Sequence, residues 1–197
     1  MVFKKQEGMT ARDKILARIQ SNQPRDTPSS LVQVSPTFDF DPITRFKDTL
    51  VSIGGRVIPI NNETEIRPHL SSLQHAKGDL TIVGPDTVDQ TVMSSHAFQH
   101  VDVAILRGDF AVAENGAIWI TDKSMIDRAL PFICLNLVLI VRKTAIVPTM
   151  HHAYDRIGSA NYGLGTFIAG PSKTADIEQS LVLGAHGAKT LTCFLVD

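Results

Sequence analysis

The sequence predicts an α/β fold whose sheet has substantial parallel character. Segments with helical spacing of apolar residues alternate along the chain with short apolar runs typical of buried strands. The run from Leu135 to Val141 is almost entirely branched aliphatic, which is typical of a strand covered on both faces. At 197 residues, with 43% hydrophobic and 20% charged residues, the chain has the composition of an ordinary globular domain with one substantial core.

Charge and hydropathy argue against several classes of partner. The formal net charge is -1 and no basic run with interleaved aromatic residues occurs, so we expect no nucleic-acid binding. The longest apolar run, Leu130 to Val141, is about half the length of a membrane span and is interrupted by Pro131 and Asn136, so we expect no membrane span. No hydrophobic segment follows the first lysines, which predicts a cytoplasmic protein without a secretory signal.

The cysteines predict neither a disulfide framework nor a cofactor site. Cys134 and Cys193 are isolated in apolar runs, and we expect both to be reduced core residues. Two such cysteines cannot form a cluster-binding motif, so no cofactor is expected in this chain.

The histidines do not predict a metal site. Two pairs have helical spacing but lack both the glutamate of a zinc-protease signature and a nearby third ligand. Polar surface faces explain them more simply. The pairs are His96 with His100, and His151 with Asp155.

The first 42 residues are predicted to form a helix and a proline-rich connector. Thr10 to Asp13 has the pattern of a capping box and is followed by apolar residues on one helical face. The segment Asn22 to Pro42 is rich in proline and small polar residues and is predicted to be irregular. Such a connector would let the helix dock or swap onto another molecule, and a homo-oligomer is one arrangement that this allows. Residues 43–197 are then the α/β domain.

The first helix of that domain has clear boundary signals. Asp41 can cap it, Pro42 suits its first position, and apolar residues recur at helical spacing from Ile43 to Ile53 before Gly54-Gly55. A strand from Arg56 to Ile60 follows.

The remaining elements follow from the same patterns. A weaker helical segment contains Ile66, Leu70 and Leu73 and is started or kinked by Pro68. A helix capped by Thr149 is predicted to run to Ile157. The predicted strands are Leu80 to Val83, Val101 to Leu106, Ala117 to Ile120, Leu135 to Val141, Thr166 to Ala169 (as a buried strand) and Leu191 to Val196.

The most informative stretch runs from Gly170 to Glu178. Gly170-Pro171 breaks the preceding strand, and Ser172 and Thr174 are both competent N-caps. Acids in the following turn suit the positive end of a helix dipole, so a helix is predicted to begin here and to end at Gly184. The acids are Asp176 and Glu178, and the apolar face is Ile177, Leu181 and Val182.

This turn is a candidate site for an anion. Backbone N–H groups at a helix start, two hydroxyls and the ammonium of Lys173 would converge where the carboxyl end of a strand meets a helix. The other interpretation is an ordinary capped helix with a solvated lysine. A P-loop is disfavoured because Pro171-Ser172 stands where that motif needs Lys followed by Ser or Thr.

A second candidate site is the turn from Ala113 to Gly116. Asn115-Gly116 suits a tight turn and lets another group approach the backbone closely, which would hold Glu114 in a defined position at a sheet edge. The other interpretation is a plain hairpin turn with a solvated glutamate.

Two further side chains are candidates for the same chemistry. Arg128 can clamp a carboxylate through its planar pair of donors, or it can pair with a neighbouring acid. His186 can return toward the ligand end of the motif helix, or it can satisfy carbonyls at that helix's C-terminus.

These motifs resemble one known family. From about Val83 to Asp197 the chain resembles the LUD domain of the lactate utilization protein C (LutC/YkgG) family. The resemblance rests on Val112 to Gly116, on Arg128 to Pro131, and above all on Phe167 to Gly187. The N-terminal half resembles the family mainly in layout.

The resemblance implies a fold and a role. The implied fold is a Rossmann-like three-layer sandwich with a central, largely parallel sheet, similar to sugar-phosphate isomerases, glucosamine-phosphate deaminases and CoA transferases. The implied role is one component of a multi-protein system that oxidises L-lactate to pyruvate, whose other members carry iron–sulfur clusters. This chain lacks cluster-binding cysteine motifs, so it would be a non-redox subunit. Asn115 departs from the threonine of many relatives, which puts the fine geometry at Glu114 in doubt.

Two functional hypotheses follow. In the first, the subunit binds a small anion at the Gly170 to Glu178 turn. In the second, the chain is a stand-alone enzyme, acyl-CoA transferase-like or acting on sugar phosphates, with Glu114 as nucleophile or general base. No clear CoA-binding glycine pattern is present, which favours the first. The candidate catalytic residues are Glu114 and His186, and the candidate ligand-binding residues are Asn115, Gly116, Arg128, Gly170, Ser172, Lys173, Thr174 and Asp176.

Overall fold

The computed structural model describes residues 10–23, 37–70, 81–84, 100–175, 181–184 and 186–197. The chain divides into two compact units, residues 1–35 and residues 36–197. Several sequence predictions lie outside the described residues. They concern most of the connector and the residues Leu73, Leu80, His96, Asp176, Ile177 and Glu178.

The first unit contains helix α1, Ala11–Ser21, as predicted. The capping box is present: Asp13 N–H donates to Thr10 Oγ1 at 3.2 Å, and Thr10 N–H donates to Asp13 Oδ2 at 3.1 Å. The apolar residues Ile15, Leu16 and Ile19 are all exposed. Local capping chemistry therefore defines this helix.

The second unit is built on a five-stranded parallel sheet. The strands are β1 (Arg56–Ile60), β2 (Ile82–Val83), β3 (Val103–Arg107), β6 (Asn136–Arg142) and β11 (Thr190–Val196), in the order β1-β11-β6-β3-β2. Every pairing in this sheet is parallel. The predicted parallel α/β fold is therefore confirmed.

Alternate residues of β6 enter two separate hydrophobic clusters, as a strand covered on both faces requires. Leu137 and Leu139 belong to one cluster, whereas Val138 and Ile140 belong to the other. Helix α2 (Pro42–Ser52) buries Phe46 and Leu50 in the first cluster. The helical residues 66–70 bury Ile66 and Leu70 in the second. Helix, sheet and helix form the three layers.

A second, four-stranded sheet packs on the α2 side. Its order is β7-β4-β5-β8, formed by Ile146–Val147, Phe110–Val112, Ile118–Thr121 and Gly165–Ile168. One face of it contributes to the cluster that contains α2. Its other face packs against Ala153 of helix α4 (Met150–Ile157). A short helix, α3 (Leu130–Ile133), precedes β6.

Two predictions around the Gly170 motif are wrong. β8 is half-buried rather than buried, because it is an edge strand of the second sheet, antiparallel to β5. Lys173–Ala175 and Leu181–Leu183 are strands β9 and β10 of an antiparallel hairpin, where a helix was expected. Thr174 pairs with Val182, and β-branched residues favour this extended geometry.

The part of the chain that the structure describes contains no helix long and apolar enough to cross a membrane.

Candidate functional site

The predicted Glu114 segment forms the turn between β4 and β5. Asn115 Oδ1 accepts the N–H of Ala117 at 3.0 Å, and Gly116 has a φ of +70°. A Cβ at Gly116 would lie 3.1 Å from the backbone nitrogen of Leu50. The predicted close approach is real, and the group that approaches is the backbone of α2.

Glu114 caps helix α4. Its Oε2 accepts the N–H of Met150 at 2.8 Å, and its own N–H donates to the carbonyl of Pro148 at 3.0 Å. Thr149, the predicted cap, makes no such bond, and its hydroxyl lies 2.8 Å from His152 Nδ1. The carboxylate thus satisfies an N–H at the positive end of the helix dipole.

The Gly170 segment packs against the C-terminal end of α2. Gly170 has a φ of +75°, and a Cβ there would lie 2.9 Å from the carbonyl oxygen of Ile53. Pro171 is buried, and a Cβ at Gly54 would lie 3.4 Å from its Cγ. The Asn115-Gly116 turn and the Gly170 segment therefore both pack against the end of α2.

Both backbone hydrogen-bonding groups of Ser172 are bonded to nearby backbone groups. Its N–H donates to the carbonyl of Ala188 at 2.8 Å, and its carbonyl accepts the N–H of Gly184 at 3.0 Å. These bonds join the motif to the loop before β11, at the amino edge of the parallel sheet. The predicted placement at the carboxyl end of a parallel strand, with free N–H groups of a helix start, is therefore wrong.

Four predicted residues lie in this region, and Lys173 and Thr174, as successive residues of β9, point to opposite faces of the strand. A Cβ at Gly187 would lie 3.1 Å from the Cβ of Ser172, and His186 is the residue before Gly187. His186 and Lys173 are exposed, whereas Ser172 and Thr174 are half-buried. The groups available to a ligand are two hydroxyls, one ammonium and one imidazole.

Arg128 forms an ion pair with Asp122. Its Nη2 donates to Asp122 Oδ2 at 2.6 Å, and both side chains contact the backbone at Gly163. The guanidinium lowers the pKa of Asp122. Of the two interpretations of Arg128, pairing with a neighbouring acid is the one observed.

Both cysteines are free and buried, as predicted. Burial raises the pKa of Cys134 to about 11 and that of Cys193 to about 12. Among the described residues, no group of three or more His, Cys, Asp and Glu side chains is arranged to hold a metal ion.

A cavity that sequence reasoning missed lies on the outer face of the second sheet. Its volume is about 280 Å³. Thr121 Oγ1 donates to Asp109 Oδ2 at 3.1 Å, and the guanidinium of Arg156 lies 5.1 Å from the ring centroid of Phe110. No local spacing could have found this site, because its residues come from separate strands, a helix end and a loop. The lining residues are Asp109, Phe110, Trp119, Thr121, Lys123, Arg156, Ile157, Ala160, Asn161 and Tyr162.

Solved structures support the fold. A DUF162 family protein from Deinococcus radiodurans superposes with a TM-score of 0.62 over 82% of this chain and 100% of that chain. The sequence identity is 15%, so the likeness concerns the fold alone.

Curated relatives named lactate utilization protein C match the sequence. The protein from Bacillus pumilus is 32% identical over 100 residues, covering 48% of this chain and 42% of the relative. The protein from Bacillus subtilis is 32% identical over 106 residues, covering 50% and 44%. That from Anoxybacillus flavithermus is 26% identical over 174 residues, covering 83% and 76%. The first two matches thus span less than half the length of those relatives.

The sequence model of the LUD domain matches residues 43–196. This range includes every strand described above and all of the described candidate residues. The chain therefore belongs to the LUD domain family.

Proposed function

We propose that the protein is a component of a system that oxidises L-lactate to pyruvate. The observation that carries this proposal is the relationship to proteins named lactate utilization protein C, one of which aligns over 83% of the chain. The LUD domain match over residues 43–196 supports the same assignment.

Within that system the chain would be a subunit that carries no iron–sulfur cluster. Such clusters take four thiolate ligands, and this chain has two cysteines. Both are free and buried in the core. The electrons released from lactate would then pass to partner proteins that carry iron–sulfur clusters.

The Gly170 motif is proposed as a surface for a small anion. Without a helix start, the proposal rests on the side chains of Ser172, Lys173, Thr174 and His186, of which Lys173 and Thr174 lie on opposite faces of strand β9. Lys173 is exposed, and exposed ion contacts contribute about 0.2–1 kcal/mol. Replacing Lys173 with Ala should therefore weaken anion binding by about that amount, whereas Lys14→Ala on α1 should not.

Glu114 and Arg128 are not part of this proposed anion surface. Their side chains are bonded to Met150 and Asp122 respectively. Acyl transfer at Glu114 would require its carboxylate to leave the helix that it caps, and no contact in the described residues favours that reaction.

Growth and partner capture test the role. Deletion of the gene should impair growth on L-lactate but not on glucose, and the wild-type gene should restore it. The tagged protein should capture iron–sulfur proteins from lactate-grown cells, and lysate from glucose-grown cells serves as the control. Normal growth of the deletion strain, together with no captured iron–sulfur protein, would overturn the proposal.

A further inference from the structure

We propose that the cavity beside Arg156 is a binding site for a small 2-hydroxy monocarboxylic acid. It is separate from the Gly170 motif, and it rests on the proposed function only in the choice of L-lactate as the probe. The size, the charges and the hydrogen-bonding groups of the cavity carry the argument.

The cavity is large enough for a small organic acid. Its volume of about 280 Å³ falls just below the usual range for drug-sized ligands, roughly 300–1,000 Å³. Two aromatic side chains, Phe110 and Trp119, line its floor. Both are almost fully buried in the second sheet. Tyr162 packs edge-on against Trp119 at 5.5 Å. A short aliphatic group can lie on this floor.

Arg156 is the candidate partner for a carboxylate. It lies in the last turn of α4, and its guanidinium is held over the face of Phe110. Its side chain forms no ion pair with any carboxylate among the described residues. A planar guanidinium offers two parallel donors that match the two oxygens of a carboxylate. Lys123, on the turn after β5, adds a second cation at the rim.

Asp109 and Thr121 supply an acceptor for a hydroxyl group. The N–H of Asp109 donates to the carbonyl of Trp119 at 2.9 Å, which fixes the backbone of Asp109. Its carboxylate accepts the buried hydroxyl of Thr121 and retains further acceptor sites. A ligand hydroxyl can therefore donate to this carboxylate while the ligand's own carboxylate lies on Arg156.

The charge balance selects a monoanion. The lining carries two cationic side chains and one carboxylate, so a single negative charge neutralises it. A phosphate dianion would instead leave an excess negative charge next to Asp109, where like charges repel. The charges therefore favour a monocarboxylate over a phosphate dianion.

The chain contains one tryptophan, and Trp119 lines this cavity. Its fluorescence and its indole N–H resonance therefore report on this site. L-lactate should change both signals in a saturable way, propionate should bind more weakly because it lacks the hydroxyl, and phosphate should bind more weakly still.

Three variants separate this site from the Gly170 motif. Arg156→Gln should weaken L-lactate binding about 2- to 5-fold, the usual effect of losing a contact with an exposed charged side chain, and Arg156→Lys should lie between it and the wild type. Asp109→Asn should reduce the preference for lactate over propionate. Arg45→Gln is the matched control, because Arg45 is also exposed and lies over an aromatic ring, that of Phe40. It should bind like the wild type.

The outcomes distinguish the two proposals. An absent Trp119 response to L-lactate, or unchanged affinity in a correctly folded Arg156→Gln protein, would overturn the cavity site. Binding that is lost in Lys173→Ala but kept in Arg156→Gln would also overturn it, while leaving the proposed function intact. Normal growth of the deletion strain and no captured iron–sulfur protein, alongside Arg156-dependent lactate binding, would remove the proposed function and keep the cavity site.

Discussion

The carboxylate of Glu114 accepts the backbone N–H of Met150 at 2.8 Å. Together with the bond from Glu114 N–H to the carbonyl of Pro148, it joins the β4–β5 turn to the first turn of α4. A residue at the tip of a hairpin therefore completes the N-terminal hydrogen bonding of a helix that follows much later in the chain.

Glu114→Ala should lower the free energy of unfolding by about 0.5–2 kcal/mol, the usual range for losing a helix cap. Glu114→Gln should lower it less, because the amide oxygen can still accept the bond. Asp155→Ala is the control, since Asp155 is exposed on the same helix away from its N-terminus. Urea unfolding followed by circular dichroism provides the measurement. Wild-type stability in Glu114→Ala, together with trapping of a Glu114 thioester by an acyl-CoA, would favour a nucleophile instead.

Gly170→Ala should be among the more damaging substitutions in the domain. The left-handed φ costs a side chain about 1–3 kcal/mol, and the new Cβ would press on the carbonyl oxygen of Ile53 at 2.9 Å. Gly54→Ala is the comparison, because Gly54 also has a positive φ but the nearest atom to its added Cβ would be 3.4 Å away. Denaturant unfolding should show the larger loss at Gly170. Equal losses would mean that the close contact relaxes freely.

Local chemistry was sufficient to predict much of the fold. Asp41 caps α2 through the N–H of Thr44 at 2.8 Å, and Pro42 opens it, as the sequence indicates. The continuous aliphatic run of β6 likewise predicts a strand buried on both faces. Each of these elements is decided by neighbouring residues, so a single sequence contains the necessary signal.

The Gly170 motif could not be predicted in this way. Serine and threonine are good helix caps, but the extended conformation of Ser172 depends on Ala188 and Gly184, which a local pattern does not include. The cavity was missed for a related reason. Arg156 and Phe110 meet only because the second sheet places β4 beside α4.

The ion pair between Arg128 and Asp122 should be visible in an acid titration. The hydrogen bond from Arg128 lowers the pKa of Asp122 below its ordinary value of 3.8. The stability that it contributes is therefore present above that ordinary value and is lost as the pH falls through the lowered pKa. In Arg128→Gln the carboxyl ¹³C resonance of Asp122 should titrate closer to 3.8. Asp41, whose pKa is lowered by Thr44, should not change. An unchanged Asp122 titration would show that the ion pair does not persist in solution.

The two cysteines predict a loss of stability in alkali. Burial raises the pKa of Cys134 to about 11 and that of Cys193 to about 12, from an ordinary value of 9.0. The unfolded chain therefore loses thiol protons at lower pH than the folded chain, so the stability that the protonated thiols provide is complete below 9.0 and declines as the pH rises above it. Urea unfolding of the wild type and of a Cys134→Ala, Cys193→Ala double variant should show a steeper alkaline decline in the wild type. At neutral pH a thiol reagent should label neither cysteine until urea unfolds the domain. Rapid labelling of the native protein would mean that one thiol is accessible, and it would reopen the case for thiolate chemistry in this chain.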